Sequence, residues 1–165
     1  MLFRSEKVRN PAVLYQQNRL FREKALGFWS DLVLGVAKDP AMLNYLDGAK
    51  SRLEHPNENF ARELFELFTL GEGHYTEKDI QEAARAFTGW SVRLRPKPGE
   101  TMDEETHMPS FFLRPAWHDG RSKRIFGKTG NFDGEDVIRL TLQQPAAPRW
   151  ITGKLWRFYT GTLPS

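Results

Sequence analysis

Cysteine is absent from the 165 residues, which excludes disulfide frameworks, thiolate zinc sites and cysteine nucleophiles. No run of about 18 apolar residues occurs, so no segment has the pattern of a membrane-spanning helix. The opening MLFRSEKVRN likewise lacks the apolar stretch of a signal peptide. Histidine is scarce, at four residues. None belongs to the His-Glu-x-x-His of a zinc peptidase, or to the Glu-x-x-His pairs that a di-metal helical bundle takes from two helices. His55, His74, His107 and His118 all fall in expected loops, and a histidine metal site needs three of them to converge. No metal and no cofactor is therefore expected. A Gly-x-Ser-x-Gly elbow is missing too, which disfavours a serine nucleophile.

Three near-motifs fail on spacing. GRSKRIFGKT, residues 120–129, ends like a phosphate-binding loop, but six residues rather than four separate its glycines. GEGHYT, from Gly71, follows a helix rather than a strand and has no third glycine. NFDGED resembles a calcium loop in composition alone, since Gly134 is misplaced for a ligand pattern and no bidentate Glu follows at the required distance.

What the chain does have is apolar content, 39% overall with 13% aromatic, enough for one domain with a real core. The net charge of +3 is too mild to imply nucleic acid without a clustered basic face, and the basic segment from Arg114 to Lys128 suits a solvated hairpin. Charge is unevenly spread. Residues 1–30 hold six basic and two acidic groups, residues 31–90 six and eleven, and residues 91–165 twelve and eight, so an acidic centre lies between basic ends.

Helix punctuation is clear over the first ninety residues. Asn10 and Pro11 open a first helix with Val13, Leu14, Leu20, Phe21 and Ala25 on one stripe, Gln17 inside that stripe, and a stop at Gly27. A second helix holds Phe28, Trp29, Leu32, Val33 and Val36. Asp39 and Pro40 open a third, with Met42, Leu43 and Leu46, closing at Gly48. Asn57 caps a fourth, in which Phe60, Ala61, Leu64, Phe65, Leu67 and Phe68 are apolar and which Gly71 ends. Thr76 caps a fifth, with Ile80, Ala83, Ala84 and Phe87 at i, i+3, i+4 and i+7 before Gly89. The fourth and fifth, joined by a short loop, should pack antiparallel.

Residues 91–130 change in texture: SVRLR, SFFLR and KRIF look extended, between prolines, glycines and the acidic loop Asp103 to Glu105. They predict a small β-hairpin-like insertion. Asp133 then caps a helix to about Gln143, and Pro148 starts a last one carrying Ile151, Leu155 and Phe158. The predicted fold class is mainly α, a helical bundle-like domain with that insertion.

Glu58, Arg62 and Glu66 are successive i, i+4 neighbours, so two carboxylates and a guanidinium share one helix face. They are candidates for a polar site in a cleft, while the plainer reading is a solvated ion-pair ladder. His118 beside Asp119 is the other candidate, against a simple turn with Gly120. The tryptophans at 29, 90, 117, 150 and 156 scatter over separate elements, which suits packing better than a ligand platform.

NENFARELFELFTLG followed by YTEKDIQEAARAFTGW closely resembles the signature of a bacterial family known as domain of unknown function 1800. The resemblance continues through YQQNRLFREKALG and AKDPAMLNYLD upstream, and through HDGRSKRIFGKTGNFDGEDVI and GKLWRFYTG downstream. It implies a largely helical fold, and a chain corresponding to the middle of longer members that carry a Trp-, His- and Asn-rich segment before this part and further helices after it. It also implies export, and a sulfatase-like or phosphatase-like partner protein encoded nearby. No family catalytic residue carries over, and Arg121 and Ser122 depart from the usual wording of the His-Asp turn.

Two functions follow as expectations. The first is a helical binding or scaffolding module of an exported bacterial protein that acts with a partner. The second is part of an enzyme of hydrolase type, whose acid–base work uses Glu58, Glu66 or Asp119 with His118, assisted by Arg62. If helices are missing, the segment from Trp150 to Tyr159 should expose an apolar patch around Trp156 and Phe158, and the isolated chain should be marginally stable or self-associate.

Overall fold

Asn10 opens the first helix as its side chain predicts, its Oδ1 accepting the Ala12 N–H at 2.9 Å with Pro11 in the first turn of α1 (Pro11–Lys24). The computed structural model from which this is seen describes residue 8, residues 10–93 and residues 108–162. His107 and the acidic loop Asp103 to Glu105 lie outside the described residues. After α2 (Trp29–Lys38), the Asp39 carboxylate accepts the Met42 N–H at 2.9 Å and starts α3 (Pro40–Tyr45). This helix stops short of Gly48, at a left-handed Asp47 (φ 56°) and a single 3₁₀ turn, Gly48–Lys50. The buried Gln17 also finds its partner here: its side-chain amide donates to Asp39 Oδ2 at 2.7 Å.

The fourth helix departs from expectation midway. It begins as α4 (Glu58–Glu63), capped by Asn57, and then widens into a π segment, Leu64–Thr69. The N–H groups of Leu70 and Gly71 both turn back to the Phe65 carbonyl, and the Thr69 hydroxyl donates to the Leu64 carbonyl at 2.6 Å. The extra residue per turn changes which side chains face inward: Leu64, Phe65 and Thr69 are buried and Leu67 is exposed.

α5 (Glu77–Ala86) starts with the Thr76/Asp79 capping box. Phe60, early in α4, packs on Phe87 just past the end of α5, whereas Phe65 packs on Tyr75 just before its start, so the two helices run antiparallel as predicted. Gly89 (φ 81°) ends the segment where a side chain would lie 2.7 Å from the Arg114 carbonyl.

The expected insertion contains two small antiparallel sheets. β1 (Trp90–Arg93) pairs with β2 (Ser110–Leu113), Trp90 opposite Leu113, and β3 (Lys123–Ile125) pairs with β4 (Lys128–Gly130). Phe126 and Gly127, both with positive φ, form the two-residue turn of the second pair. α6 (Gly134–Leu142) opens with a second capping box, Asp133 with Asp136. α7 (Ala146–Thr160) begins two residues before the expected Pro148, which sits harmlessly in its first turn. The fold is therefore mainly α. Its core joins Phe65, Ile80, Ala83, Ala84, Ile125 and Val137 to an aromatic cluster in which Phe60, Phe87, Trp90 and Phe111 meet edge-on or tilted.

Candidate functional site

The polar groups singled out in the sequence separate into two clusters, both anchored on α5. In the first, Arg62 does not bridge Glu58 and Glu66. Its guanidinium forms a bidentate pair with Glu77, at the start of α5, with both N–H···O distances 2.7 Å; Glu58 is only a 4.0 Å neighbour. This pairing raises the Arg62 pKa further and lowers that of Glu77. Glu66, carried off the row by the π segment, accepts the Tyr75 hydroxyl at 3.0 Å. Burial first and the Glu66 bond second push the Tyr75 phenol up to about 12. Arg62 thus clamps α4 to the start of α5 at the surface.

The second cluster surrounds a buried carboxylate, with Arg121 largely exposed. Asp119 lies at the end of the His118-Asp119 turn, and both of its oxygens are filled: Oδ1 accepts the Arg121 N–H (3.0 Å) and Nε (2.8 Å), and Oδ2 accepts Arg85 Nε (2.8 Å) and Arg121 Nη2 (2.6 Å). The Arg121 bonds hold its carboxyl well below the usual carboxylate range, against burial and with help from Arg85. Arg85 in turn binds Glu82 at 2.7 Å, and Glu82 also accepts the Arg124 N–H of β3. The Asp119 N–H donates to the Thr88 hydroxyl, and His118 Nδ1 donates to the Thr88 carbonyl at 2.9 Å, since a carbonyl can only accept. Lys123, buried, donates to the carbonyls of Asp119 and Arg121 at 2.6 and 2.9 Å, and burial lowers its pKa.

Chemically, this is a clamp. A general base needs a lone pair turned toward substrate, and four N–H donors already occupy the Asp119 oxygens. Among the described residues no hydrogen bond or ion pair joins this cluster to Glu58, Arg62 or Glu66, and no group of three or more His, Asp or Glu is placed to hold a metal ion. Arg85, Glu82, Thr88 and Lys123 were not among the candidates read from the sequence. Lys123 had a usable signal, because it alternates with the buried Ile125 and so must face inward on β3.

A third feature lies at the other end of the chain. The root of α7 is fixed: Ala147 is buried, the Trp150 ring packs on Gly71, and Trp150 Nε1 and Lys154 Nζ both donate to the Leu67 carbonyl, Lys154 also lying over the Trp150 ring at 4.4 Å. Its outer turns are uncovered among the described residues. Leu155, Trp156, Phe158 and Tyr159 are exposed at 49, 52, 80 and 79%, as expected of the Trp150–Tyr159 segment. The helix bears Arg149, Lys154 and Arg157 and no acidic residue. No helix among the described residues is long and apolar enough to cross a membrane.

The family described as protein of unknown function (DUF1800) matches residues 2–165. No curated protein and no solved structure matches the chain.

Proposed function

We propose that this chain, which belongs to the DUF1800 family, is a helical binding module that acts by docking on a partner protein through the outer turns of α7. The observation that carries the reading is the exposure of Leu155, Trp156, Phe158 and Tyr159 on a helix whose root is firmly packed. Four large apolar side chains in one short stretch form the kind of exposed patch that marks an interaction surface, and Trp and Tyr are the side chains that most often anchor one. With Arg149 and Arg157 on the same helix and no acidic residue there, the complementary surface is apolar with an acidic rim. The family resemblance points to a sulfatase-like or phosphatase-like protein as the partner class.

The acid–base alternative through Glu58, Arg62, Glu66, His118 and Asp119 has weaker support, because these groups divide between a surface clamp and a second cluster in which both Asp119 oxygens are already bonded. The test is a calorimetric titration of the chain into a sulfatase-like or phosphatase-like protein of the same genome. Saturable binding that weakens at least about tenfold in a Trp156→Ser/Phe158→Ser double variant, roughly the loss of one modest hot spot, is expected. Absence of binding, or binding that the double variant leaves unchanged, would refute the reading.

A further inference from the structure

The β1–β2 hairpin carries a row in which cations and rings alternate: Arg93, Phe112, Arg114, Trp117 and Arg52, each guanidinium 4.0–5.3 Å from the centroid of the ring beside it. We propose that this row is a docking site for an acidic peptide segment of a partner protein.

Local rules build the row. Ser110, Phe112 and Arg114 alternate along β2 and its end, so they share one face, and Arg93 joins that face because it pairs with Ser110. The 3₁₀ turn Pro115–Trp117 then sets the Trp117 ring against Arg114, at 4.0 Å. The Trp117 carbonyl accepts the Leu53 N–H at 2.8 Å, which brings Arg52 to the same ring.

The arginines that join elements elsewhere in the molecule are paired with acids. Arg62, Arg85, Arg121 and Arg139 each hold a carboxylate at 2.6–2.8 Å. Among the described residues no carboxylate or carbonyl accepts from the side chain of Arg52, Arg93 or Arg114, and Glu54, in the same loop as Arg52, pairs with none of them. The Arg114 Nε is buried without an acceptor, so the two rings are what hold this guanidinium in place. Guanidiniums that share a ring lie within roughly 10 Å of each other, about the screening length at 0.1 M salt, so they repel one another and attract an anion together. Stacking also fixes them in advance, so little side-chain freedom is lost when carboxylates take their N–H forks.

The rings select the class of partner. Single-stranded nucleic acid needs bare ring faces on which to stack its bases, whereas Phe112 and Trp117 each already have two guanidiniums against them. Carboxylates need only the forks. Leu53 and Pro115 are exposed close to Trp117, which suits a peptide with apolar residues between its acids.

The test is a titration of the isotope-labelled chain with a short peptide of alternating glutamate and valine, read at the arginine Nε–Hε resonances. The same peptide with glutamine for glutamate, and a short oligothymidylate, are titrated beside it. The glutamate peptide should bind saturably, shift the signals of Arg52, Arg93 and Arg114, and weaken as salt is raised, while the glutamine peptide should not bind. Arg52→Gln and Arg93→Gln should each weaken binding about threefold and together about tenfold, with Tm unchanged. Arg22→Gln, on α1, should leave binding unaltered. Trp117→Leu keeps every charge but releases two guanidiniums, and should weaken binding as much as the double variant. The assignment is overturned if the glutamate peptide does not bind, if the glutamine peptide binds as well, or if Arg22→Gln weakens binding as much as Arg52→Gln. It is also overturned if a folded Trp117→Leu binds like the parent, or if oligothymidylate binds more tightly than the peptide, which would make the row a nucleic-acid site.

Discussion

Asp39 shows how much a single side chain can hold. One oxygen, Oδ2, both caps α3 through Met42 N–H and satisfies the buried Gln17 amide of α1, although burial raises its pKa. Asp39→Ala removes a cap and leaves a buried amide without a partner, and should cost about 2–4 kcal/mol in chemical denaturation. Asp39→Asn keeps one carbonyl oxygen in the same place and should cost much less. Equal losses in the two variants would contradict this account. The Gln17 position could be read from its place in the apolar stripe, but its partner could not, because Asp39 lies 22 residues away and is brought there only by the packing of α1 on α3.

Asp119 supplies the pH-dependent prediction at the same scale. Its folded pKa is depressed, so its contribution is present in full above the ordinary Asp value of about 3.9 and is lost as pH falls below it. Asp119→Asn should destabilise by about 2–4 kcal/mol at neutral pH, toward the lower end because its main partner Arg121 is largely exposed and Arg85 retains some access to water. The gap from the parent should narrow steadily from about pH 5 downward, measured as urea midpoints across pH. A gap independent of pH would mean that the carboxylate charge contributes nothing.

At the scale of elements, local signals carried the helix starts and long-range ones did not. Asn10, Asp39, Asn57, Thr76 and Asp133 all cap where the sequence places them, since a cap is a contact within three residues. The π segment has no comparable signature: Leu64–Thr69 satisfies the α-helical apolar pattern, and its widening is seen only once Phe65 meets Tyr75 and Phe126 and α7 takes the Leu67 carbonyl. The Glu58, Arg62, Glu66 row is not the main pairing of Arg62 for the related reason that Glu77, on the next helix, offers it a bidentate geometry that neither i, i+4 neighbour matches. Gly134 is an element-scale requirement: a Cβ there would lie 2.3 Å from the Trp90 ring and 2.6 Å from Phe87. Gly134→Ala should therefore cost about 1–3 kcal/mol through overpacking, despite the helix propensity gained, and should perturb the near-UV signal of the aromatic cluster. A stabilised variant with an unchanged spectrum would show that α6 approaches Trp90 less closely.

For the molecule as a whole, α5 is the hub. Its apolar side meets α4 and the core, its polar side holds the second hairpin through Asp79 and Glu82, and Arg85 and, just past its end, Thr88 hold Asp119. Among the described residues, the outer turns of α7 carry exposed apolar side chains that no other element covers. The direct measurement is hydrogen–deuterium exchange of the chain alone and with an excess of the sulfatase-like or phosphatase-like protein proposed as its partner. Slowed exchange and fresh protection across residues 154–160, with the turn from His118 to Arg124 unchanged, is the predicted result; protection confined to that turn, with the end of α7 exchanging as before, would contradict it.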